Sequence, residues 1–281
     1  MPIDVQDYRR NSLDTWDRWA ANWERERDFL WSSTGRLGER LVEGLDPNPG
    51  DTVLELAAGT GDTGFAAAER IGDQGKLIST DFAPSMVDVA RRAGERAGLG
   101  NVEYRVLDAE RMDLESSSVD GVLCRFGYML MADPAAALAE TRRVLRDGGR
   151  LSFAVWGTPE RNLWAFIPGG ALVELGHLPP PEPGDPGIFA MGDPNRINEL
   201  VGGAGFGEPR IEEVAVHWGY SDPEVHWQKT LALAAPIAEA YGKLDPGEQE
   251  RVRGVVRERA AERLSEDEAG LDGVALAVLA E

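Results

Sequence analysis

The stretch Val53-Leu54-Glu55-Leu56-Ala57-Ala58-Gly59-Thr60-Gly61-Asp62-Thr63-Gly64 constrains this chain more than any other. An apolar run of strand length passes directly into a glycine-rich turn and then into helix-forming sequence. Glycines at such a place permit a tight turn and let a ligand approach the backbone at the start of a helix. Taken alone, Gly59, Gly61 and Gly64 satisfy the dinucleotide fingerprint G-x-G-x-x-G, and Asp81 follows at about the expected twenty residues. A nicotinamide-dependent oxidoreductase is therefore one reading of the turn. Glu55 asks for more, because a carboxylate inside an apolar strand is costly unless hydrogen-bonded or paired. It needs either a structural partner or a ligand to organise.

Around this turn the chain alternates between short apolar runs and helix-period segments. The expected strands are Thr52 to Ala57, Leu77 to Thr80, Val102 to Leu107, Val119 to Cys124 and Leu151 to Val155. Helices are expected from about Thr63 to Arg70, Pro84 to Ala97 and Pro134 to Arg146, the last two opening with proline near the first turn. Such alternation predicts a mostly parallel sheet covered on both faces. Farther on, a helix is expected from about Pro194 to Gly202 and a strand over Glu208 to His217. Residues 224–268 read as helix with a break at Asp245, Pro246 and Gly247, and Val274 to Leu279 as a strand that closes the sheet. Between them Thr158 to Met191, with Pro179, Pro180, Pro181, Pro183 and Pro186, reads as an irregular insertion. At the other end residues 1–46 read as helix, with Trp16, Trp19 and Trp23 on one face. That face covers something apolar, either the domain itself or a substrate.

Charge and composition exclude more than they identify. The formal net charge is −20, so a phosphate backbone or anionic membrane surface is repelled over most of the exterior, and no nucleic-acid partner is expected. Cys124 is the only cysteine, which leaves no intrachain disulfide and no cysteine metal cluster, in keeping with a reducing cytoplasm. No apolar segment approaches membrane-spanning length, and Met1 through Arg10 does not read as a secretory leader. No metal site is expected either, since neither clustered histidines nor a nucleophile-elbow motif stands out.

Three features together resemble the class I S-adenosylmethionine-dependent methyltransferases, particularly the ubiquinone and menaquinone biosynthesis group. Glu55-x-x-x-Gly59-Thr60-Gly61 is similar to that family's first motif, Ser79-Thr80-Asp81-Phe82-Ala83-Pro84-Ser85-Met86 to its second, and Asp108-Ala109 lies where its third strand ends. The resemblance implies that the glycine turn passes the methionine part of S-adenosyl-L-methionine, with Glu55, Ala57, Gly59, Thr60 and Gly61 around its polar end. It implies that Asp81 accepts the ribose hydroxyls, that Phe82 and Met86 offer apolar surface to adenine, and that Asp108 and Ala109 meet the adenine amine. Asp120 to Leu130 is similar to the family's fourth motif, which points Arg125, Phe126 and Tyr128 towards cofactor and acceptor. One departure stands out: where the quinone-biosynthesis enzymes carry Arg-Asn after Phe-Gly, this chain has Tyr128-Met129-Leu130-Met131. The quinone substrate therefore does not carry over.

The expected fold is α/β, a doubly wound, mostly parallel seven-stranded sheet of the Rossmann-like methyltransferase kind with a helical N-terminal lid and an inserted cap. Its expected organisation is a lid over residues 1–46, the S-adenosylmethionine-binding core over 47–158, a proline-rich insertion over 159–192, core continuation over 193–221, a helical cap over 222–270 and a closing strand over 271–281. The methyl sulfonium is already electrophilic, so such a protein chiefly aligns an acceptor atom and excludes water. For a hydroxyl, phenol or acidic carbon a base helps, and Tyr128, His217, His226 or His177 are the candidates. Trp164, Phe166, Phe189, Trp218 and Trp227 either wall an apolar pocket for a small-molecule acceptor or glue the cap to the core. Besides the methyltransferase, the readings are the NAD(P)-dependent oxidoreductase and a noncatalytic cofactor-binding module. Oligomeric state is not legible.

Overall fold

The computed structural model describes residues 4–182, 184–264 and 269–281. Residues 1–3 of the expected N-terminal helix, Pro183 of the proline-rich segment and residues 265–268 of the expected cap lie outside them.

Strands β1 (Thr52–Glu55), β2 (Lys76–Asp81), β3 (Val102–Val106), β4 (Val119–Arg125), β5 (Leu145–Trp156), β6 (Arg210–Trp218) and β7 (Leu271–Ala280) form one seven-stranded sheet in the order β3-β2-β1-β4-β5-β7-β6. The first five pair in parallel, and β7 runs antiparallel to both β5 and β6. Helices α3 (Asp62–Ile71) and α4 (Pro84–Ala97) connect strands that step one way from β1, whereas α5 (Pro134–Val144) connects β4 to β5, stepping the other way. Right-handed crossovers then place α3 and α4 on one face and α5 on the other. The reversal between β1 and β4 is the topological switch point, and the carboxyl ends of those strands frame the crevice where such sheets bind ligands.

Several helices begin on the same sequence device. Asp133, Asp193, Asp222 and Asp245 each stand before a proline and accept backbone N–H groups of the first turn of α5, α7 (Pro194–Gly203), α8 (Pro223–Leu233) and α10 (Pro246–Ala261). The aspartate satisfies otherwise orphaned donors, and proline at the first helical position gives up no bond. The break read at Asp245 is thus a helix start, with α9 (Ala235–Gly242) before it.

The N-terminal segment is α1 (Val5–Arg25) and α2 (Arg27–Leu45). The tryptophan face of α1 lies on α4, where Trp16 and Trp23 pack against a small cluster of Ala20, Ala83, Met86 and Val89. Trp23 also donates its Nε1–H to the carbonyl of Leu233, 3.2 Å away on α8. On the other side α2 buries Leu37, Leu41 and Leu45 in the main core.

Two differences from the expected elements have local causes. The insertion read as irregular contains α6 (Leu163–Glu174), whose sequence Leu-Trp-Ala-Phe-Ile-Pro-Gly-Gly-Ala-Leu-Val-Glu is apolar nearly all round and carries Pro168 inside the helix. It offers no helical period to detect and includes a residue that usually breaks helices. The other difference is that α5 ends at Val144 and β5 starts at once at Leu145, with a register shift against β4 between Val119 and Gly121.

Candidate cofactor and acceptor site

Glu55 is the best-defined side chain of the crevice. It ends β1 at 2% exposure. Its Oε1 accepts the N–H of Gly64 at 2.7 Å and its Oε2 the hydroxyl of Ser79 at 3.1 Å. The turn therefore closes back on the strand that launches it. A Cβ at Gly64 would lie 2.1 Å from Glu55 Oε2, so only glycine lets the start of α3 come this close. Burial pushes the Glu55 carboxyl up to about 8, against the lowering effect of those bonds and of Arg125.

Asp81 ends β2 and ties the turn to the next loop: its Oδ2 accepts the N–H of Gly59 at 2.9 Å, and its Oδ1 that of Ala83 at 3.0 Å. Burial holds its carboxyl above the usual range. Gly59 has φ of +57°, and a Cβ there would meet nothing within 4 Å, so the turn opens on free space. Thr60, 2% exposed, donates to Asp62 Oδ2 at 2.7 Å, and Arg27 of α2 pairs with the same carboxylate at 2.6 Å. Two non-glycine residues adopt positive φ at the switch point, Ala57 at 51° after β1 and Phe126 at 64° after β4. Such strain persists only where surroundings impose it, and it concentrates at functional sites. The two turns also touch, since a Cβ at Gly127 would stand 2.7 Å from that of Ala57.

At the far side of β2, α1 lies across the crevice. Arg9 reaches both Asp108 and Glu110, with its guanidinium 5.6 Å from the ring centre of Phe82. Tyr8 donates its hydroxyl to the carbonyl of Leu130 at 2.8 Å, and Asp17 accepts the N–H of Ser85 at 2.9 Å. Ala109 is 9% exposed beneath this layer. Met86 points elsewhere, into the cluster under α1. Sequence reasoning missed Arg9, and its only sequence signal is a cation on a helix face with no neighbouring acid to pair with across one turn.

Arg125, at the end of β4, donates to Thr63 Oγ1 at 2.8 Å and Thr34 Oγ1 at 2.6 Å, so its side-chain hydrogen bonds go to hydroxyls. Burial lowers its proton affinity despite Asp62 and Glu55 nearby. Phe126 next to it stacks on Trp156, the last residue of β5, with centroids 4.1 Å apart. From Trp156 the rings continue to Trp164 of α6 at 4.9 Å and on to Trp218, the last residue of β6, at 4.7 Å. Phe29 of α2 lies 5.7 Å from both Trp218 and Tyr220. Because β6 runs parallel to β5, all these rings gather at the sheet edge that carries the glycine turn.

The candidate bases separate cleanly. Tyr128 is fully buried and bonded to Thr141 Oγ1 at 2.7 Å. Thr141 donates its own proton to the carbonyl of Ala137, so Tyr128 is the donor between the two hydroxyls. His217 is exposed on β6 and bonded to Asp272 at 2.8 Å. Strand alternation puts it on the opposite face from Trp218. His177 contacts Glu248 at 3.1 Å. His226 alone joins the ring cluster, 4.9 Å from Tyr220. Of the other aromatic candidates, Phe166 is 45% exposed and Trp227 is buried against Tyr241. Among the described residues no group of His, Cys, Asp and Glu side chains is arranged to hold a metal ion, and no helix is long and apolar enough to cross a membrane.

Fold and crevice define a doubly wound α/β protein whose glycine turn lies at the switch point, departing from the dinucleotide order 3-2-1-4-5-6 by an antiparallel strand between the fifth and sixth positions. Comparison with known proteins narrows this. A methyltransferase-domain family matches residues 53–149. The chain is 36% identical over 168 residues to a ubiquinone/menaquinone biosynthesis C-methyltransferase of Acidiphilium cryptum, covering 57% of this chain and 67% of that protein. It is 32% identical over 146 residues to the aklanonic acid methyltransferase of Streptomyces sp. strain C5, covering 52% of this chain and 65% of that relative's length. The phosphoethanolamine N-methyltransferase 2 of Haemonchus contortus, solved with phosphomonomethylethanolamine and S-adenosylhomocysteine, shares the fold at a TM-score of 0.60, with 16% identity over 95% of this chain and 60% of that one. The chain belongs to the class I S-adenosylmethionine-dependent methyltransferases, and S-adenosylmethionine is the cofactor of that family. The nicotinamide reading of the glycine turn falls with this assignment.

Proposed function

We propose that the chain moves a methyl group to an O, C or N atom of a small apolar or aromatic molecule by in-line transfer. The cofactor sits over the carboxyl ends of β1, β2 and β3, and the acceptor sits among the rings at β4, β5 and β6. The observation that carries this reading is the contact of Ala57 with Gly127: the glycine turn and the start of the ring cluster share one border, so the two ligands would meet there.

The residues fit the cofactor. Gly59 leaves the cradle open where a side chain would fill it. Asp81, already oriented by two backbone donors, keeps lone pairs for a pair of ribose hydroxyls. Phe82 offers a ring face to adenine, with Asp108 and Ala109 along its edge. Glu55, Thr60, Gly61 and Arg125 would surround the methionine end, with Arg125 a cation available to its carboxylate. When bound, S-adenosylmethionine supplies a methyl group on an electrophilic sulfonium. The protein orients the acceptor and excludes water.

In this reading α1 is a lid. Arg9 engages Asp108 and Phe82, the two side chains that would flank adenine, so α1 withdraws Arg9 when the cofactor enters. Tyr128 is held on α5 and His217 lies on the other face, so neither receives a proton-transfer role. The Tyr128–Met131 stretch that replaces the Arg-Asn of the quinone enzymes packs inward at Tyr128, which argues for a different acceptor.

Calorimetry with S-adenosylmethionine and S-adenosylhomocysteine tests the cofactor half, and absence of binding ends the reading. The catalytic half is tested by S-adenosylhomocysteine release over a panel of hydroxylated and aminated aromatics. Firm cofactor binding without turnover across that panel would instead make this a noncatalytic cofactor-binding module.

A further inference from the structure

Pro168 sits inside α6 and has no N–H. The carbonyl four residues before it, that of Trp164, therefore loses its helical partner. His226 of α8 takes the place of that donor, its Nε2 standing 2.7 Å from Trp164 O. A carbonyl oxygen only accepts, so Nε2 carries the hydrogen. A neutral imidazole has a single N–H, which leaves Nδ1 as a bare lone pair. His226 is 0% exposed, and burial lowers its proton affinity, so the ring stays neutral. A helix-breaking residue on one helix thereby fixes the tautomer of a histidine on another.

That bare Nδ1 is buried and has no hydrogen-bond partner among the described residues, and the same is true of Nε1–H of Trp218. One is an acceptor and the other a donor. Both belong to one connected set of rings, since Phe29 touches Trp218 and Tyr220, and Tyr220 touches His226. A buried polar atom left unmatched is destabilising, so an acceptor and a donor left bare in one ring set call for a shared partner. Phe29, Phe126 and Trp164 are half-buried whereas Trp218, Tyr220 and His226 are buried, so a ligand would have to enter past the first three rings to reach the two atoms.

We propose that His226 Nδ1 and Trp218 Nε1–H are the polar contacts that orient the methyl acceptor, Nδ1 accepting from an aromatic hydroxyl and the indole N–H donating to an oxygen of the same molecule. The proposal rests on the methyltransferase reading and deepens it: it names a planar hydroxylated ring as the acceptor and the two atoms that recognise it. Pro168 acts one step removed, as a positioning residue that keeps Trp164 O free.

The chain has three histidines, so long-range proton–nitrogen NMR on protein labelled at histidine resolves each ring. One histidine is expected in the Nε2–H form, with an unprotonated Nδ1 whose signal moves on adding 2-naphthol and stays put with 2-methoxynaphthalene, which keeps the shape and lacks the proton. In fluorescence titrations 2-naphthol is expected to bind at least tenfold tighter than the ether. That preference should fall severalfold in Trp218→Phe, and in Pro168→Ala, which returns an N–H to Trp164 O. An Nδ1–H form of His226, or an Nδ1 signal unmoved by 2-naphthol in the folded wild-type protein, overturns the proposal without relying on any variant. S-adenosylhomocysteine titrated into the same sample separates the two readings. Its binding without a hydroxyl preference sinks this proposal and spares the methyltransferase, whereas a hydroxyl preference without its binding leaves a hydroxyl-selective ring site and overturns its assignment to a methyl acceptor.

Discussion

Gly64 and Glu55 form the tightest steric relation in the crevice, and it makes a direct prediction. Gly64→Ala would force a methyl group 2.1 Å from Glu55 Oε2 and 3.0 Å from Leu77 Cδ2. Since neither neighbour is the loose end of a surface chain, overpacking is expected to lower stability by about 1–3 kcal/mol, read as a shift of the urea midpoint. Asp81→Ala is different in kind. It removes the carboxylate that holds Gly59 N–H and Ala83 N–H, and with it the two charge-assisted contacts proposed to the ribose. Affinity for S-adenosylhomocysteine is expected to fall about 10- to 100-fold, and an unchanged calorimetric titration would remove Asp81 from the site. Both residues were legible in the sequence alone, because a carboxylate in an apolar strand and an acid at a strand end stand out against their neighbours. The bare nitrogen of His226 was not. It depends on Pro168 freeing a carbonyl 62 residues away in sequence, a relation that no local pattern encodes.

At the scale of elements, legibility followed periodicity. The strands around the glycine turn and the proline-led helix α4 emerged because burial on both faces and proline at the first turn leave clear marks. Helix α6 did not, being apolar all round with a proline in its middle, and only its packing between the sheet and α10 makes it a helix. For α1 the helix was legible but its place was not, since Arg9 meets acids about a hundred residues away. Its grip on the crevice predicts how ligand arrives. Arg9 and its two acids are partly exposed, at 21%, 28% and 12% of their side chains, so these pairs are weak enough to give way if α1 opens as the proposed lid. Arg9→Ala is expected to raise the association rate of S-adenosylhomocysteine severalfold in stopped-flow fluorescence, with Trp16 and Trp23 of α1 as reporters. An association rate equal to that of the wild type would mean that α1 is a fixed part of the wall.

For the whole molecule the buried titratable groups set how stability varies with pH, and two of them pull in opposite directions. Glu55 holds its proton in the folded state up to about 8, whereas the unfolded chain releases it near 4.5. The folded state then carries the extra proton between those values, so this contribution is complete at low pH and is lost as pH rises through about 8. Asp81, also raised, acts in the same sense. His226 does the reverse: its folded proton affinity lies below the ordinary 6.5, so the unfolded chain binds the extra proton and stability is lost as pH falls below that value. Between 4.5 and 6.5 Glu55 and His226 oppose each other, and from 6.5 to 8 Glu55 acts without that opposition. Ligand-free protein is therefore expected to lose about 2 kcal/mol over that upper interval, measured by urea unfolding at a series of pH values. Glu55→Gln, which keeps the oxygen facing Gly64 N–H, is expected to flatten the fall. The net charge of −20 offers a competing cause, since self-repulsion also destabilises an acidic protein. Added salt separates them, because screening weakens repulsion between surface charges but leaves the desolvation of a buried carboxylate largely in place. A pH dependence that survives high salt and disappears in Glu55→Gln locates it at the end of β1; one that salt abolishes, and the substitution does not, locates it on the surface.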